Sequence, residues 1–318
     1  MQSKTILTCL DGSHEAEAAL PYALAVATAE RATVQLITVV DSESGNPLFW
    51  RTGEDTEWIE GQRQSAERYL DGKAWALRTQ GLEASSLVTR GSAAEEILRA
   101  AEAPNVSMVV MATHGHGGVQ RWVLGSVADK VMRMSHRPTL LVRAPDVLGP
   151  PATVALRRLA LPLDGSPLAE EALAPAVELA QAAGAEVLLV RAEQWIVTSM
   201  SRWGGEATYV PNLEEMEEET AAMAQDYLAG VRQRLPASIR AKVFVLRGFA
   251  VQELEVFFDE QQIDLVVMTT HGRRGLPRLV LGSTADRLVR AGVPILLIHP
   301  AEASAGALSV AGEAARKQ

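Results

Sequence analysis

The chain has 318 residues, 47% of them hydrophobic, with a formal net charge of −9 and a pI near 5.3. An acidic balance argues against nucleic acid as a partner, because recognition of a polyanion normally begins from a basic face. No apolar stretch reaches the roughly 18–20 residues that cross a bilayer, and no charged segment followed by an apolar one opens the chain, so a cytoplasmic globular protein with no membrane partner is expected.

The first predicted strand is Thr5 to Leu10, a run that contains the single cysteine, Cys9. In that apolar setting Cys9 reads as a buried structural thiol, and one cysteine allows no intrachain disulfide. The strand stops at Asp11-Gly12-Ser13. Ser13 is placed to cap a following helix whose first turn holds Glu15 and Glu17, with Leu20, Leu24 and Ala27 as its apolar stripe. Pro21 falls within this helix and should interrupt or kink it, at a cost of about 3 kcal/mol if the full bond is lost. Val34 to Val40 is too uniformly apolar for a half-exposed strand, which implies a parallel sheet covered on both faces.

A connection holding Leu48, Phe49 and Trp50 leads to a long helix, Glu57 to Thr79, then a strand at Ser86 to Thr89 ending in Arg-Gly, and a helix at Ala93 to Ala100. The most apolar strand, Val106 to Met111, runs into the glycine loop Ala112-Thr113-His114-Gly115. Gly125-Ser126 then opens a last helix, and Pro138 opens the fifth strand through Val142. Proline at a strand's first residue is permitted.

The whole pattern recurs. Asp164-Gly165-Ser166 repeats the first turn 153 positions on, and Met268-Thr269-Thr270-His271-Gly272 repeats the loop, again with nine residues before Gly282-Ser283. The second copy reads as strands Leu159 to Leu163, Val187 to Ala192, Lys242 to Leu246, Leu265 to Met268 and Pro294 to Ile298, with helices including Glu214 to Arg234 and Val251 to Phe258. Its connection after the second strand holds Trp195, Trp203 and Tyr209; in either copy this segment is a lid or a plain surface loop. Two homologous α/β domains follow, at 1–145 and 156–300. The segment 146–155, with Gly149, Pro150 and Pro151, is a stiff linker, and 301–318 a fraying tail.

Each loop admits two readings. Bare glycine at a helix start lets backbone N–H groups approach an anion, which the helix end attracts. Alternatively, Ser126 with Asp129, and Ser283 with Asp286, match a capping box that occupies the hydroxyl without a ligand. Arg121, Arg273, Arg274 and Arg278 supply charge that capping does not need. The P-loop and dinucleotide fingerprints are missing. His114 and His271 read as loop anchors rather than acid–base groups, because no repeated carboxylate pair or nucleophile accompanies them. The remaining histidines offer no metal-ligand spacing. Asp11 and Asp164 end the first strands at the carboxyl edge, where open α/β sheets bind ligands, although a turn aspartate before glycine is also common.

These residues resemble the universal stress protein family in tandem form, over essentially 3–145 and 156–300. The family signature is Gly-x2-Gly-x9-Gly-Ser/Thr, and THGHGGVQRWVLGS and THGRRGLPRLVLGS match its main part. The resemblance implies two tandem five-stranded, parallel-sheet, Rossmann-like domains of the adenine nucleotide alpha hydrolase type, binding ATP or AMP, with Mg²⁺ entering only through the phosphates. Carried over by position, Asp11 meets the nucleoside, the Val39 backbone the adenine, and Met111 lines the pocket. Gly115, Gly125, Ser126 and the Val127 backbone then hold ribose and phosphates. The second set is Asp164, Ala192, Met268, Gly272, Gly282, Ser283 and Thr284. The family's first glycine is Ala112 here and Thr269 in the second copy, and a Cβ there can block a positive-φ backbone or crowd a phosphate. The resemblance also implies pairing of the two domains through their last strands, with a homodimer of whole chains as a further alternative. A regulatory, nucleotide-binding role in stress response follows, set against a slow ATPase and a nucleotide-free interaction module.

Overall fold

The computed structural model describes residues 3–40, 54–113, 124–144, 153–193, 213–270 and 282–299. The first repeat runs β1 (Thr5–Cys9), α1 (His14–Glu17), α2 (Ala19–Glu30), β2 (Thr33–Val40), α3 (Glu54–Thr79), β3 (Ala84–Arg90), α4 (Ala93–Ala101), β4 (Val106–Ala112), α5 (Ser126–Met134) and β5 (Thr139–Val142). Its strands lie in the order β3-β2-β1-β4-β5, all parallel. Every residue of β1 and β5 is buried. Strands hidden on both faces need helices on both sides, which explains why their runs are mostly apolar, with only buried threonines as polar members. The edge strand β3 is less buried and carries Ser85 and Ser86, so its apolar run understates its length.

The second repeat supplies β6 (Arg158–Pro162), α6 (Pro167–Glu170), α7 (Leu173–Ala183), β7 (Glu186–Glu193), α8 (Leu213–Arg234), β8 (Ala241–Arg247), α9 (Ala250–Glu260), β9 (Leu265–Thr269), α10 (Ser283–Ala291) and β10 (Ile295–Ile298). The chain divides into two compact units. One holds the first repeat together with β10, which pairs antiparallel with β5 through Ile295↔Leu141 and Leu297↔Thr139. The other holds β9-β6-β7-β8, also parallel, with α6 to α10. In each unit the direction of winding reverses beside the first strand of the repeat, between β1 and β4 or between β6 and β9. That reversal opens a crevice at the strands' carboxyl ends.

The helix interruption expected at Pro21 comes earlier, at Ala18, which is the C-cap of α1 and the N-cap of α2. Pro21 is thereby the third residue of α2, where an N–H has no intrahelical acceptor to lose. The full penalty for a mid-helix proline is not incurred. Pro175 occupies the same third position in α7, whose N-cap is Ala172. The two prolines therefore start helices rather than break them.

Candidate functional site

Three backbone features meet at the winding reversal of each unit. The first is the Asp-Gly-Ser turn. Ser13 donates both its N–H (2.9 Å) and its hydroxyl (2.5 Å) to Asp11 Oδ1, while Ser13 Oγ accepts from the Ala16 N–H at 3.1 Å and caps α1. Gly12 has φ 85° and Gly165 φ 83°, the left-handed geometry that lets the chain reverse here without Cβ strain. In the second unit Ser166 N–H donates to Asp164 Oδ1 at 2.9 Å and Ser166 Oγ caps α6 through Ala169 N–H at 3.1 Å. Each aspartate is thus a turn aspartate, fixed in place at the carboxyl end of its strand.

The second feature is a strand that outruns its neighbour. Leu10 N–H donates to Ile37 O at 2.9 Å, just past the end of β1 at Cys9, whereas β2 continues to Val40. Strand carbonyls alternate in direction, so Val39, two residues beyond Ile37, turns its peptide groups to the same side, past the last residue of β1. The second unit repeats this geometry: Leu163 N–H donates to Val190 O at 2.8 Å, and Ala192 faces the edge beyond Pro162. Both positions expected to meet a base therefore offer main chain at the crevice.

The third feature is the exit of β4 and β9. Met111 and Ala112 are 5% and 7% exposed; Met268 and Thr269 are 9% and 5%. Neither Ala112 nor Thr269 is among the described non-glycine residues with positive φ, so a Cβ there strains no backbone. The Gly125 N–H donates to Thr113 O at 2.8 Å and the Gly282 N–H to Thr270 O at 2.7 Å, closing the neck of each loop. His114, Gly115, Arg121, His271, Gly272, Arg273, Arg274 and Arg278 lie outside the described residues, as do Leu48, Phe49, Trp50, Trp195, Trp203 and Tyr209.

The capping-box alternative is corrected in the first copy, where Gly125, not Ser126, is the N-cap of α5 and makes no side-chain cap bond. Ser126 and Val127 are the first two residues of the helix, whose opening N–H groups have no intrahelical acceptor. Asp129 turns away from the helix start and is held by Arg133 (Nε 3.0 Å to each oxygen, Nη2 2.9 Å). Asp286 is held the same way by Arg290 at 2.9 Å, and Gly282 O accepts from Asp286 N–H. Ser283 and Thr284 open α10 as Ser126 and Val127 open α5. The acid next to each helix start is thereby offset by a cation one turn on.

A signal missed in the sequence is the repeated Ala-x2-Tyr-Leu-x-Gly at Ala66 to Gly72 and Ala224 to Gly230. Its tyrosines reach the short helices that follow the Asp-Gly-Ser turns: Tyr69 OH donates to Glu17 at 3.0 Å and Tyr227 OH to Glu170 at 2.9 Å. Burial first, and the adjoining carboxylates second, push both phenols well above their usual range, so they remain donors. Cys9 is buried, and burial pushes its thiol up to about 12, in keeping with a structural role. Among the described residues no group of His, Cys, Asp and Glu could hold a metal ion, and no helix is long and apolar enough to cross a membrane.

Known proteins share this plan. The model of the universal stress protein family matches residues 2–143 and again 155–299. A universal stress protein of Mycolicibacterium smegmatis is 28% identical over 301 residues, covering 93% of this chain and 97% of its own. One from Mycobacterium tuberculosis is 27% identical over 310 residues, covering 92% and 94%. The crystal structure of a universal stress protein from Archaeoglobus fulgidus matches with a TM-score of 0.66 at 19% identity, across 94% of this chain and 99% of that one, a likeness of fold. With two family matches spanning nearly its whole length, the chain belongs to the universal stress protein family, as a tandem of two such domains.

Proposed function

We propose that the protein binds an adenine nucleotide, ATP or AMP, at the carboxyl edge of its sheets, and that occupancy serves a regulatory role in stress response rather than fast catalysis. The observation that carries this reading is the start of α5. Gly125 has φ −59° and ψ 144°, a conformation open to any residue, and it forgoes the side-chain cap that Ser, Asp or Asn would give. What glycine supplies there is a bare Cα beside N–H groups that have no intrahelical acceptor, which suits a phosphate. Asp11, the Val39 backbone, Met111, Ala112, Gly115, Gly125, Ser126 and Val127 would form the first site. Asp164, Ala192, Met268, Thr269, Gly272, Gly282, Ser283 and Thr284 would form the second. Mg²⁺ would be held by the nucleotide's own phosphates. Pairing of the two repeats through their last strands belongs to this reading, and the antiparallel β5–β10 pair supports it.

The test is mass spectrometry of nucleotide released from freshly purified, denatured protein, followed by calorimetric titration with ATP and AMP. Nucleotide recovered, or heat of binding in the micromolar to millimolar range, is the expected outcome. No release and no heat would leave the second reading, a nucleotide-free interaction module. The observation favouring that reading is Thr269, a buried β-branched residue where the family pattern has its first glycine.

A further inference from the structure

One chain of hydrogen bonds is built twice, link for link. In the first unit Tyr69 OH donates to Glu17 Oε1 at 3.0 Å, Glu17 N–H donates to Ser13 O at 3.4 Å, and Ser13 N–H and Oγ donate to Asp11 Oδ1. In the second, Tyr227 OH donates to Glu170 Oε1 at 2.9 Å, Glu170 N–H to Ser166 O at 3.3 Å, and Ser166 N–H to Asp164 Oδ1 at 2.9 Å. The path starts on the long helix α3 or α8 and ends on the aspartate at the winding reversal.

The cation beside each glutamate differs in origin. Lys73, four residues after Tyr69, pairs with Glu17 Oε2 at 2.7 Å; Arg234, seven residues after Tyr227, pairs with Glu170 Oε2 at 2.7 Å. Between the copies the ion pair has been rebuilt from a different helix position, while tyrosine, glutamate, serine and aspartate keep theirs. Both copies keep a cation on the glutamate, but only the tyrosine reaches it from the same place in the repeated Ala-x2-Tyr-Leu-x-Gly. Both tyrosines are part-buried, and a phenol reaching over to cap one oxygen leaves the glutamate a single fixed orientation. α1 and α6 are four residues long, too short to hold their own direction, so an outside tether decides where the preceding turn points.

We infer that Tyr69 and Tyr227 are positioning residues for the nucleoside end of the nucleotide sites, setting Asp11 and Asp164 through Glu17 and Glu170. This rests on the nucleotide-binding reading above. Supporting groups that fix a contacting side chain change affinity without touching ligand, commonly by about 3- to 10-fold.

The full-length chain is titrated with ATP and, separately, with adenosine, as wild type, Tyr69→Phe/Tyr227→Phe and Lys73→Met/Arg234→Met. The phenylalanine pair is expected to weaken ATP and adenosine by the same factor, about 3- to 10-fold, because the lost order lies at the nucleoside end. The methionine pair removes both ion pairs, leaves each phenol its glutamate acceptor, and is expected to stay within about twofold of wild type. A phenylalanine variant with a lowered Tm but unchanged affinity for both ligands overturns the inference and leaves the phenols structural. So does a methionine variant as weak as the phenylalanine one, which would credit the ion pair. Wild type that binds neither ligand overturns the nucleotide reading itself, and this inference with it.

Discussion

The two copies share main-chain geometry at the site and differ in the side chains around it. Where β2 ends, Thr38 gives its hydroxyl to Leu10 O at 2.7 Å, and Val40 follows as a neutral neighbour. At the equivalent place in β7, Arg191 pairs with Glu193 at 2.5 Å and lies over the Tyr227 ring at 5.2 Å. Beside the Val39 and Ala192 backbone the register partners are Thr89 and Leu246, so the hydroxyl is confined to the first copy. Thr89 Oγ1 is buried and makes no hydrogen bond among the described residues, whereas Leu246 asks for none. The backbone plan specifies a crevice of one shape; side chains decide how wet, how charged and how crowded it is. Two sites of unequal affinity are the expected result.

The strongest way to break the comparison is at the helix start of the first copy. Gly125→Asp is compatible with the observed φ and ψ and installs a good N-cap, so stability should hold or rise by a few tenths of a kcal/mol. A carboxylate at that spot competes with phosphate for the same N–H groups and repels it, so first-copy ATP affinity should drop roughly 100-fold, about 2.8 kcal/mol. Calorimetric titration and a thermal melt on one preparation report both. An unchanged titration with a raised Tm would mean that the loop ends in a helix cap and nothing more.

Much of this arrangement was legible before any coordinates. The doubled Asp-Gly-Ser and Thr-His-Gly phrases marked the repeat, and largely apolar runs such as Val106 to Met111 located the buried strands within a residue or two, because a strand covered on both faces has few polar positions to blur its ends. Edge strands were harder: β3 begins at Ala84, two residues before the predicted start, because Ser85 and Ser86 reach solvent or Asp71 rather than the core. Capping was harder still. Ser126 and Asp129 fit a capping box by spacing, yet Arg133 claims the aspartate, a choice between two local partners that spacing alone does not rank. The Tyr69–Glu17 contact spans 52 residues, and only the repeated Tyr-Leu-x-Gly hinted at it.

A second substitution sharpens the difference between the copies. Thr269→Gly removes a β-branched side chain from the end of β9, where the phosphates would approach, and should raise second-copy affinity about tenfold while costing about 1 kcal/mol of stability from strand entropy and lost packing. Ala112→Gly deletes one methyl and should gain a factor of about 2 to 3 in the first copy. Titrations of the two variants test whether the Cβ at this position separates the sites. Affinity unmoved by Thr269→Gly would assign the inequality to Arg191, Glu193 and Leu246 instead.

The smallest effect comes from a built-in reporter of the first copy. Cys9 ends β1 two residues before Asp11, and the matching position in β6 is Pro162, so the single thiol samples one repeat only. Burial pushes the Cys9 pKa from 9.0 up to about 12, so the folded protein keeps the proton longer than the unfolded chain does. The sign follows: this group's contribution to stability is full below about pH 9.0 and is lost as pH climbs toward about 12. At pH 8, alkylation of Cys9 should require opening of the first copy and otherwise be negligible. ATP at four times its first-site Kd should then slow labelling about fivefold, since only the closed form binds it. Binding confined to the second copy would leave the rate where it was, and peptide mass mapping of labelled Cys9 would show it.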